Sequence, residues 1–210
     1  MGKLEIKKMS FSIIGQNKKY CFLHIPKNGG KSIIYSLEGK GLAITRPIAK
    51  HATFIETKKA IKTEHKFFCT IRNPLERMIS YYSYIKQRPI EHGQARAKAI
   101  ADFRGFESFV DYVKSKEAPD IFRPQFDYIT SDNKTINENI HFLKVENLKE
   151  DFLNFLNNEH ITNNPISLKH INKSEHLNPR CYYTSSKIID KVIEFEKDIF
   201  ERFDYSKIPL

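Results

Sequence analysis

One loop of the sequence has the residues needed to bind a phosphate-like anion. Residues 24–32 read HIPKNGGKS and lie between an apolar run and a segment with helical spacing. Two glycines let the backbone approach a ligand, and the following helix offers N–H groups and the positive end of its dipole. Lys27, Lys31 and Ser32 add further donors. Two adjacent glycines alone usually mark an ordinary turn, but the flanking strand and helix favour an anion site here.

A second strand end carries two more residues that could hold an anion. Arg72 follows the apolar run 67–71, and Ser80 lies about two turns into the next predicted helix. Arginine offers a forked, charged donor and serine a hydroxyl. Taken alone, Arg72 and Arg77 would be interpreted as ion-pair partners of Glu76 or as part of a solvated face. Together with the first loop, they indicate a ligand with two phosphate groups.

The first loop matches only part of the P-loop of nucleoside-triphosphate enzymes. Residues 30–32 reproduce the end of G-x-x-x-x-G-K-[ST], but Ile25 stands where the first glycine belongs. Neither 67–71 nor 140–145 ends in an aspartate suited to magnesium. A P-loop-like small-molecule kinase is therefore the less favoured alternative.

Strands and helices alternate around these loops. The apolar patterns predict strands at 20–25, 67–71 and 140–145, and helices at 31–41, 51–61, 106–115 and from residues 184–185 onward. This alternation predicts an α/β, P-loop-like three-layer fold with a central, mostly parallel sheet flanked by helices. In such sheets ligands bind beyond the carboxyl ends of the strands, where both loops are expected.

Several residues mark where the predicted helices begin and which face they bury. Asn73 can cap the helix that starts at Pro74, and Glu76 completes a capping-box spacing. Asn147 and Glu150 repeat that spacing. The last helix shows one buried face with apolar residues three and four apart, at Ile188, Val192, Phe195 and Ile199.

Size, composition and charge limit the class of protein. The 210 residues, of which 40% are hydrophobic, fit a single folded domain spanning residues 1–210. The net charge of +10 favours anionic partners. Because the positive residues are spread along the chain without a basic block interleaved with aromatics, no nucleic-acid partner is expected. A phosphorylated small molecule or an acidic glycan fits better.

Cysteine usage and hydropathy indicate the compartment. Cys21, Cys69 and Cys181 show no metal-ligand spacing, which fits a reducing environment. No apolar stretch approaches the roughly 20 residues of a membrane span, and residues 1–14 lack the order of a signal peptide. We therefore expect a cytoplasmic protein with no integral membrane segment.

The two loops and several other segments resemble the sulfotransferases that use 3′-phosphoadenosine-5′-phosphosulfate (PAPS). The likeness is to the carbohydrate-type group, with its heparan and chondroitin enzymes and small bacterial relatives. HIPKNGGKS is similar to that family's Pro-Lys-Thr-Gly-Gly-Thr-Ser loop, and RNPLERMISYY to its Arg-Asn-Pro…Arg…Ser-x-Tyr element. The resemblance continues, in the family's order, through KHATFIETKKAI, RPQFDYI, FLKVENLKEDF, HINKS and DIFERFDY.

The resemblance implies a reaction and a role for each candidate residue. A sulfuryl group would pass from PAPS to an acceptor hydroxyl, expected on a carbohydrate, leaving adenosine 3′,5′-bisphosphate (PAP) and requiring no metal. Lys27 would supply positive charge at the bridging oxygen. The 5′ side of the donor would be held by Lys27, Asn28, Gly29, Gly30, Lys31 and Ser32, the 3′-phosphate by Arg72 and Ser80, and the nucleotide would be covered by Asn172, Lys173 and Ser174.

Two residues of the loop depart from the family pattern. Asn28 stands where threonine is usual, and Lys31 where threonine or serine is usual. Lys31 would place an extra cation beside the donor phosphate, which could tighten nucleotide binding without changing the chemistry.

His51 is the expected base, because imidazole titrates near working pH and KHAT occupies the position of the family's catalytic histidine. His24 is its competitor, and we expect it to orient the loop instead. Arg123 and Gln125 could face donor or acceptor, or equally form an ionic contact in the core. Segments 1–19 and 88–105 carry no usable motif. A second alternative is a non-enzymatic module that binds anionic glycan or nucleic acid with a steep salt dependence.

Overall fold

The computed structural model of the chain describes residues 10–14, 19–38, 43–48, 51–61, 64–87, 94–161, 165–168 and 177–209. Its contacts group the chain into two compact units, Met1–Ile71 with Asp127–Asn172, and Arg72–Phe126 with Lys173–Leu210. The single domain over residues 1–210 stays a prediction.

The first unit is built on a five-stranded sheet with the order β3-β1-β2-β4-β5. Its strands are β1 (Ser10–Ile14), β2 (Lys19–Leu23), β3 (Ala43–Ile48), β4 (Lys66–Ile71) and β5 (Ile140–Lys144). β2, β4 and β5 run parallel, as the three predicted strands do. β1 and β3 pair antiparallel at one edge and were not predicted.

Helices alternate with these strands and continue through the second unit. In chain order the described helices are α1 (Gly30–Leu37), α2 (Phe54–Ala60), α3 (Pro74–Gln87), α4 (Ala95–Phe103), α5 (Gly105–Lys114), α6 (Gln125–Ile129), α7 (Leu148–Asn158), α8 (Ser186–Phe195) and α9 (Lys197–Phe203). The sequence pattern predicted α1, α2, α3, α5 and α7 near these positions. It did not predict α4, which lies in the segment without a motif.

Helices cover both faces of the parallel strands in the first unit. Adjacent residues of a strand point to opposite faces, so Phe67 and Phe68 of β4 enter different layers. Phe68 packs on Phe155 of α7, with 4.8 Å between ring centroids, in a cluster that also contains residues of α1. Phe67 packs edge-on against Phe54 of α2 at 4.9 Å. The chain is therefore an α/β protein whose parallel strands are flanked by helices, as predicted.

A partly buried carboxylate joins the amino ends of the three parallel strands. Glu159, just after α7, accepts a hydrogen bond from the Tyr20 hydroxyl of β2. The same carboxylate lies 3.2 Å from Lys66 Nζ of β4 and 3.3 Å from His141 Nε2 of β5. Burial and the neighbouring Glu159 carboxylate raise the pKa of Tyr20. This cluster lies at the amino ends of these strands, opposite to the predicted anion-binding loop of residues 24–32.

The second unit is helical, with its own hydrophobic core. Leu75, Tyr82 and Ile85 of α3 share that core with residues of α4, α5 and α8. It contains edge-to-face aromatic contacts. The centroid of the Tyr82 ring lies 5.3 Å from that of Phe106 and 5.5 Å from that of Phe109. In the described parts of the chain, no helix is long and apolar enough to cross a membrane.

The single last helix predicted from residues 184–185 is wrong, because the chain forms α8 and α9 with a break at Glu196. Of the four predicted buried positions, Ile188, Val192 and Ile199 are 2% exposed or less, whereas Phe195 is only partly buried. Glu196 turns its carboxylate into the core, where it bonds to the Gln125 N–H and to Arg77. A buried charge needs such partners. The helical pattern is interrupted at Glu196, the residue whose carboxylate contacts them.

Candidate active site

The predicted anion-binding loop, residues 24–32, is a tight turn at the carboxyl end of β2. β2 ends at Leu23, and α1 begins at Gly30. Lys27 has a φ of 67° and Gly29 a φ of 70°, both in the left-handed region. A lysine rarely adopts this conformation, and residues held in it cluster at functional sites. The predicted strand, loop and helix are all present here.

Both glycines of the loop occupy positions where a side chain has no room. A Cβ atom on Gly30 would lie 2.2 Å from Cδ2 and 2.5 Å from Nε2 of His24. A Cβ on Gly29 would lie 3.3 Å from Leu148 Cδ2 of α7, at an unfavourable φ. The His24 ring is 5% exposed, so the loop rests directly on it. This contact supports the expected role of His24 in orienting the loop.

Asn28, which stands where threonine is usual in the family, forms a hydrogen bond through a side-chain amide N–H, which threonine does not have. Its side chain is fully buried, and Nδ2 donates a 2.8 Å hydrogen bond to the carbonyl of Thr70 in β4. The amide therefore ties the loop to the end of the neighbouring parallel strand. Lys27 and Lys31 are partly exposed, whereas Ser32 is 6% exposed in the first turn of α1.

His51 is attached to the anion-binding loop by a hydrogen bond. Its Nδ1 lies 2.9 Å from the carbonyl oxygen of His24, and the two imidazole rings are 4.7 Å apart. A carbonyl can only accept, so Nδ1 carries the hydrogen and Nε2 is the basic nitrogen of the neutral ring. The structure thus brings the predicted base and the predicted loop together within the first unit.

A capping box fixes the chain just after His51. The Thr53 Oγ1 accepts from the Glu56 N–H at 3.2 Å, and Glu56 Oε2 accepts from the Thr53 N–H at 2.7 Å. The box starts α2 two residues beyond His51. Its T-x-x-E spacing is visible in the sequence, and the sequence analysis missed it.

A groove adjoins the loop on the side of α7. It encloses about 450 Å³ and is lined by residues 145–150 with Leu153 and Asn154. Val145 and Leu148, which line it, are also the side chains nearest to Gly29. Asn147 occupies the N-cap position of α7 but its side chain forms no cap hydrogen bond, so the predicted cap is wrong. Asp151 of that first turn instead accepts a 2.7 Å hydrogen bond from the Lys144 N–H.

In the second unit, Arg72 begins the turn that leads into α3. Asn73 Oδ1 accepts a 2.9 Å hydrogen bond from the Leu75 N–H, which confirms the predicted Asn cap before Pro74. Arg72 Nη2 lies 3.4 Å from Glu76 Oε2. Ser80 lies in α3 and is 3% exposed.

Arg77 is neither a solvated residue nor a Glu76 partner. Its side chain is 2% exposed and forms an ion pair with Glu196, which is equally buried. Burial raises the pKa of Glu196, while Arg77 and the Gln125 N–H act against that rise. The Gln125 side chain forms neutral hydrogen bonds, with its amide bonded to both backbone groups of Arg72 within the second unit.

Three predicted site residues, Asn172, Lys173 and Ser174, lie outside the described residues.

A model described as the sulfotransferase family matches residues 12–206. The chain belongs to the sulfotransferase family. The match includes both loops and His51, and it confirms the resemblance found in the sequence. No curated protein and no solved structure matches the chain.

Family membership makes this chain a transferase of sulfuryl groups. Sequence reasoning selected the loop, Arg72 and His51 as candidate site residues, since each stands in a short recognisable motif. It missed Glu196 as a partner of Arg77, because these residues lie 119 positions apart. No local pattern signals a contact at that separation.

Proposed function

We propose that this sulfotransferase takes PAPS as its donor and transfers the sulfuryl group to a hydroxyl of a carbohydrate. One observation carries the proposal. The His51 ring is hydrogen-bonded to the backbone of the anion-binding loop at His24, 2.9 Å away. Sulfuryl transfer to a hydroxyl needs a base close to the bound donor, and this hydrogen bond keeps the assigned base beside the assigned donor loop.

The loop offers the donor space and positive charge. Gly29 is partly exposed, and α1 begins at Gly30, so the N-terminal N–H groups of α1 lie at the same end. Lys27 and Lys31 are partly exposed there. PAPS supplies a sulfuryl group joined to a phosphate leaving group. Lys27 is assigned to the bridging oxygen, where negative charge develops as the S–O bond breaks.

His51 is assigned the proton of the acceptor hydroxyl. Its Nε2 takes that proton while the hydroxyl oxygen bonds to sulfur, and the bridging oxygen leaves with PAP. The imidazole is suited to this step because its Nδ1–H donates to the His24 carbonyl, which leaves Nε2 as the nitrogen that can accept a proton. Such a base typically contributes about 10²–10⁴-fold to a rate.

The remaining assignments concern the nucleotide and the acceptor. Arg72 and Ser80 are assigned to the 3′-phosphate, and Asn172, Lys173 and Ser174 to the cover over the nucleotide. The groove beside Gly29 offers apolar contacts from Val145 and Leu148 for a nucleoside. A carbohydrate acceptor and a cytoplasmic location rest on the sequence analysis.

Calorimetry with the expected product tests the donor assignment. Purified protein is titrated with PAP, with adenosine 5′-monophosphate (AMP) and with ATP–magnesium. We expect PAP to bind about tenfold or more tightly than AMP, a gap of about 1.4 kcal/mol. Arg72→Ala should remove that gap and leave AMP binding in place. Tightest binding of ATP–magnesium would instead support a kinase, and absence of nucleotide binding would support a glycan-binding module.

A further inference from the structure

We propose that Gln125 is a positioning residue for recognition of the donor's 3′-phosphate, and that it acts by fixing the backbone of Arg72. This inference rests on the proposed function, which assigns Arg72 to that phosphate. Gln125 itself need not touch the donor.

Both polar atoms of the Gln125 side-chain amide form hydrogen bonds to the backbone of Arg72. Its Oε1 accepts from the Arg72 N–H at 3.0 Å, and its Nε2 donates to the Arg72 carbonyl at 3.0 Å. Gln125 is fully buried. The pair of bonds fixes the peptide groups on either side of the Arg72 Cα. It therefore sets the position of that Cα and the direction in which the side chain projects from it.

Gln125 is in turn held by a buried ion pair. Its N–H donates to Glu196 Oε2 at 2.9 Å, and Glu196 Oε1 accepts from Arg77. Arg77 also donates to the Tyr81 hydroxyl at 2.9 Å and to the Arg123 carbonyl at 3.2 Å. The side chains of Arg77 and Glu196 are both 2% exposed. The position of Arg72 therefore follows from a network that extends to the break between α8 and α9.

Stability alone does not explain such a network. A buried ion pair is often matched or exceeded in stability by apolar side chains of the same volume. What polar side chains add is direction, since each hydrogen bond fixes an angle as well as a distance. Arginine binds phosphate through a planar fork, and misplacing a binding group by about 1 Å can cost about 10²-fold in rate. Holding Arg72 in place therefore accounts for a buried glutamine at this position.

The test compares Gln125→Met with the wild-type protein. Methionine keeps the length and volume of glutamine but cannot form either hydrogen bond to Arg72. We expect the ratio of the AMP and PAP dissociation constants to fall from about tenfold to below about threefold. Affinity for AMP, which lacks the 3′-phosphate, should stay within about twofold. An unchanged ratio in a folded Gln125→Met protein would overturn the inference.

A matched control separates positioning from loss of stability. Val192→Ala removes methyl groups from a fully buried site in the hydrophobic core of the second unit. It should lower the melting temperature and leave the ratio of dissociation constants unchanged. A fall of that ratio in Val192→Ala as large as in Gln125→Met would show that any destabilisation is sufficient, and would contradict a specific role for Gln125.

Hydrogen exchange gives a readout without any ligand. The Arg72 amide donates to Gln125 Oε1, so it should exchange slowly in the wild-type protein and faster in Gln125→Met. Amides inside α3, such as that of Ile79, should keep their protection. A fast wild-type Arg72 amide would contradict the inference at its structural basis.

A second variant serves if Gln125→Met does not fold. Glu196→Gln keeps an acceptor oxygen for the Gln125 N–H but removes the charge that pairs with Arg77. We expect a smaller loss of the PAP preference, and an unchanged preference would overturn the inference. Failure of the proposed function has a different signature, because the wild-type protein would then show no preference for PAP. If Arg72→Ala loses the preference and both network variants keep it, only the positioning role fails.

Discussion

Lys27 is the residue at which backbone strain and proposed chemistry coincide. Its φ of 67° costs a lysine roughly 1–2 kcal/mol, a cost that glycine largely avoids. We expect Lys27→Gly to be about 1 kcal/mol more stable than Lys27→Ala in urea unfolding. Both variants lose the charge at the bridging oxygen, so both should lose about 10²–10³-fold in kcat. Equal activity of either variant and the wild type would remove Lys27 from the reaction.

Gly30 tests the packing of the loop on His24. The Cβ of Gly30→Ala would lie 2.2 Å from the His24 ring, which has little room to move between Phe22 and His51. We expect Gly30→Ala to lose about 1–3 kcal/mol of unfolding free energy through overpacking. His24→Ala/Gly30→Ala should be more stable than the sum of the two single changes predicts. Simple additivity in this double-mutant cycle would contradict the contact.

At the scale of elements, the start of α2 holds His51 in place. Thr53 and Glu56 form the capping box two residues beyond it. Thr53→Ala should cost about 1 kcal/mol in unfolding free energy. Lys59→Ala, an exposed change in the same helix, should stay within about 0.5 kcal/mol of wild type. A Thr53→Ala protein as stable as Lys59→Ala would show that the box does not stabilise the protein.

Arg77 joins α3 to the chain between α8 and α9. Glu196→Ala leaves the Arg77 charge buried without its carboxylate, so we expect a loss of about 3–5 kcal/mol. Arg77→Met/Glu196→Met removes both charges and should recover most of that loss in the same denaturant experiment. A double variant no more stable than Glu196→Ala would contradict this reading of the ion pair.

Over the whole molecule, short motifs with local causes were predictable from the sequence. The parallel strands could be read from apolar runs, and the loop at Gly29 and Gly30 from its glycines. Asn73 capped its helix as its position before Pro74 suggests. Asn147 forms no such bond at the start of α7, although its spacing to Glu150 is the same as that of Asn73 to Glu76. Glu196 interrupts an apolar helical pattern and contacts partners that are distant in sequence. Hydrophobic periodicity cannot predict contacts of this kind.

The net charge of +10 suits a protein that binds anionic ligands, and the family match makes it a sulfuryl transferase. We propose that PAPS is the donor and that His51 takes the acceptor proton. His51→Asn is the sharpest variant, because the asparagine amide can still donate to the His24 carbonyl but offers no basic nitrogen at Nε2.

The deciding measurement is transfer of radiolabelled sulfate from PAPS to a panel of glycans, with wild-type protein and His51→Asn side by side. We expect the wild type to label at least one glycan and to release PAP in equal amount. His51→Asn should bind PAP as the wild type does and transfer about 10²–10⁴-fold more slowly. Wild-type protein that binds PAP but transfers to no glycan would contradict the carbohydrate acceptor. Unimpaired transfer by His51→Asn would contradict the assigned base.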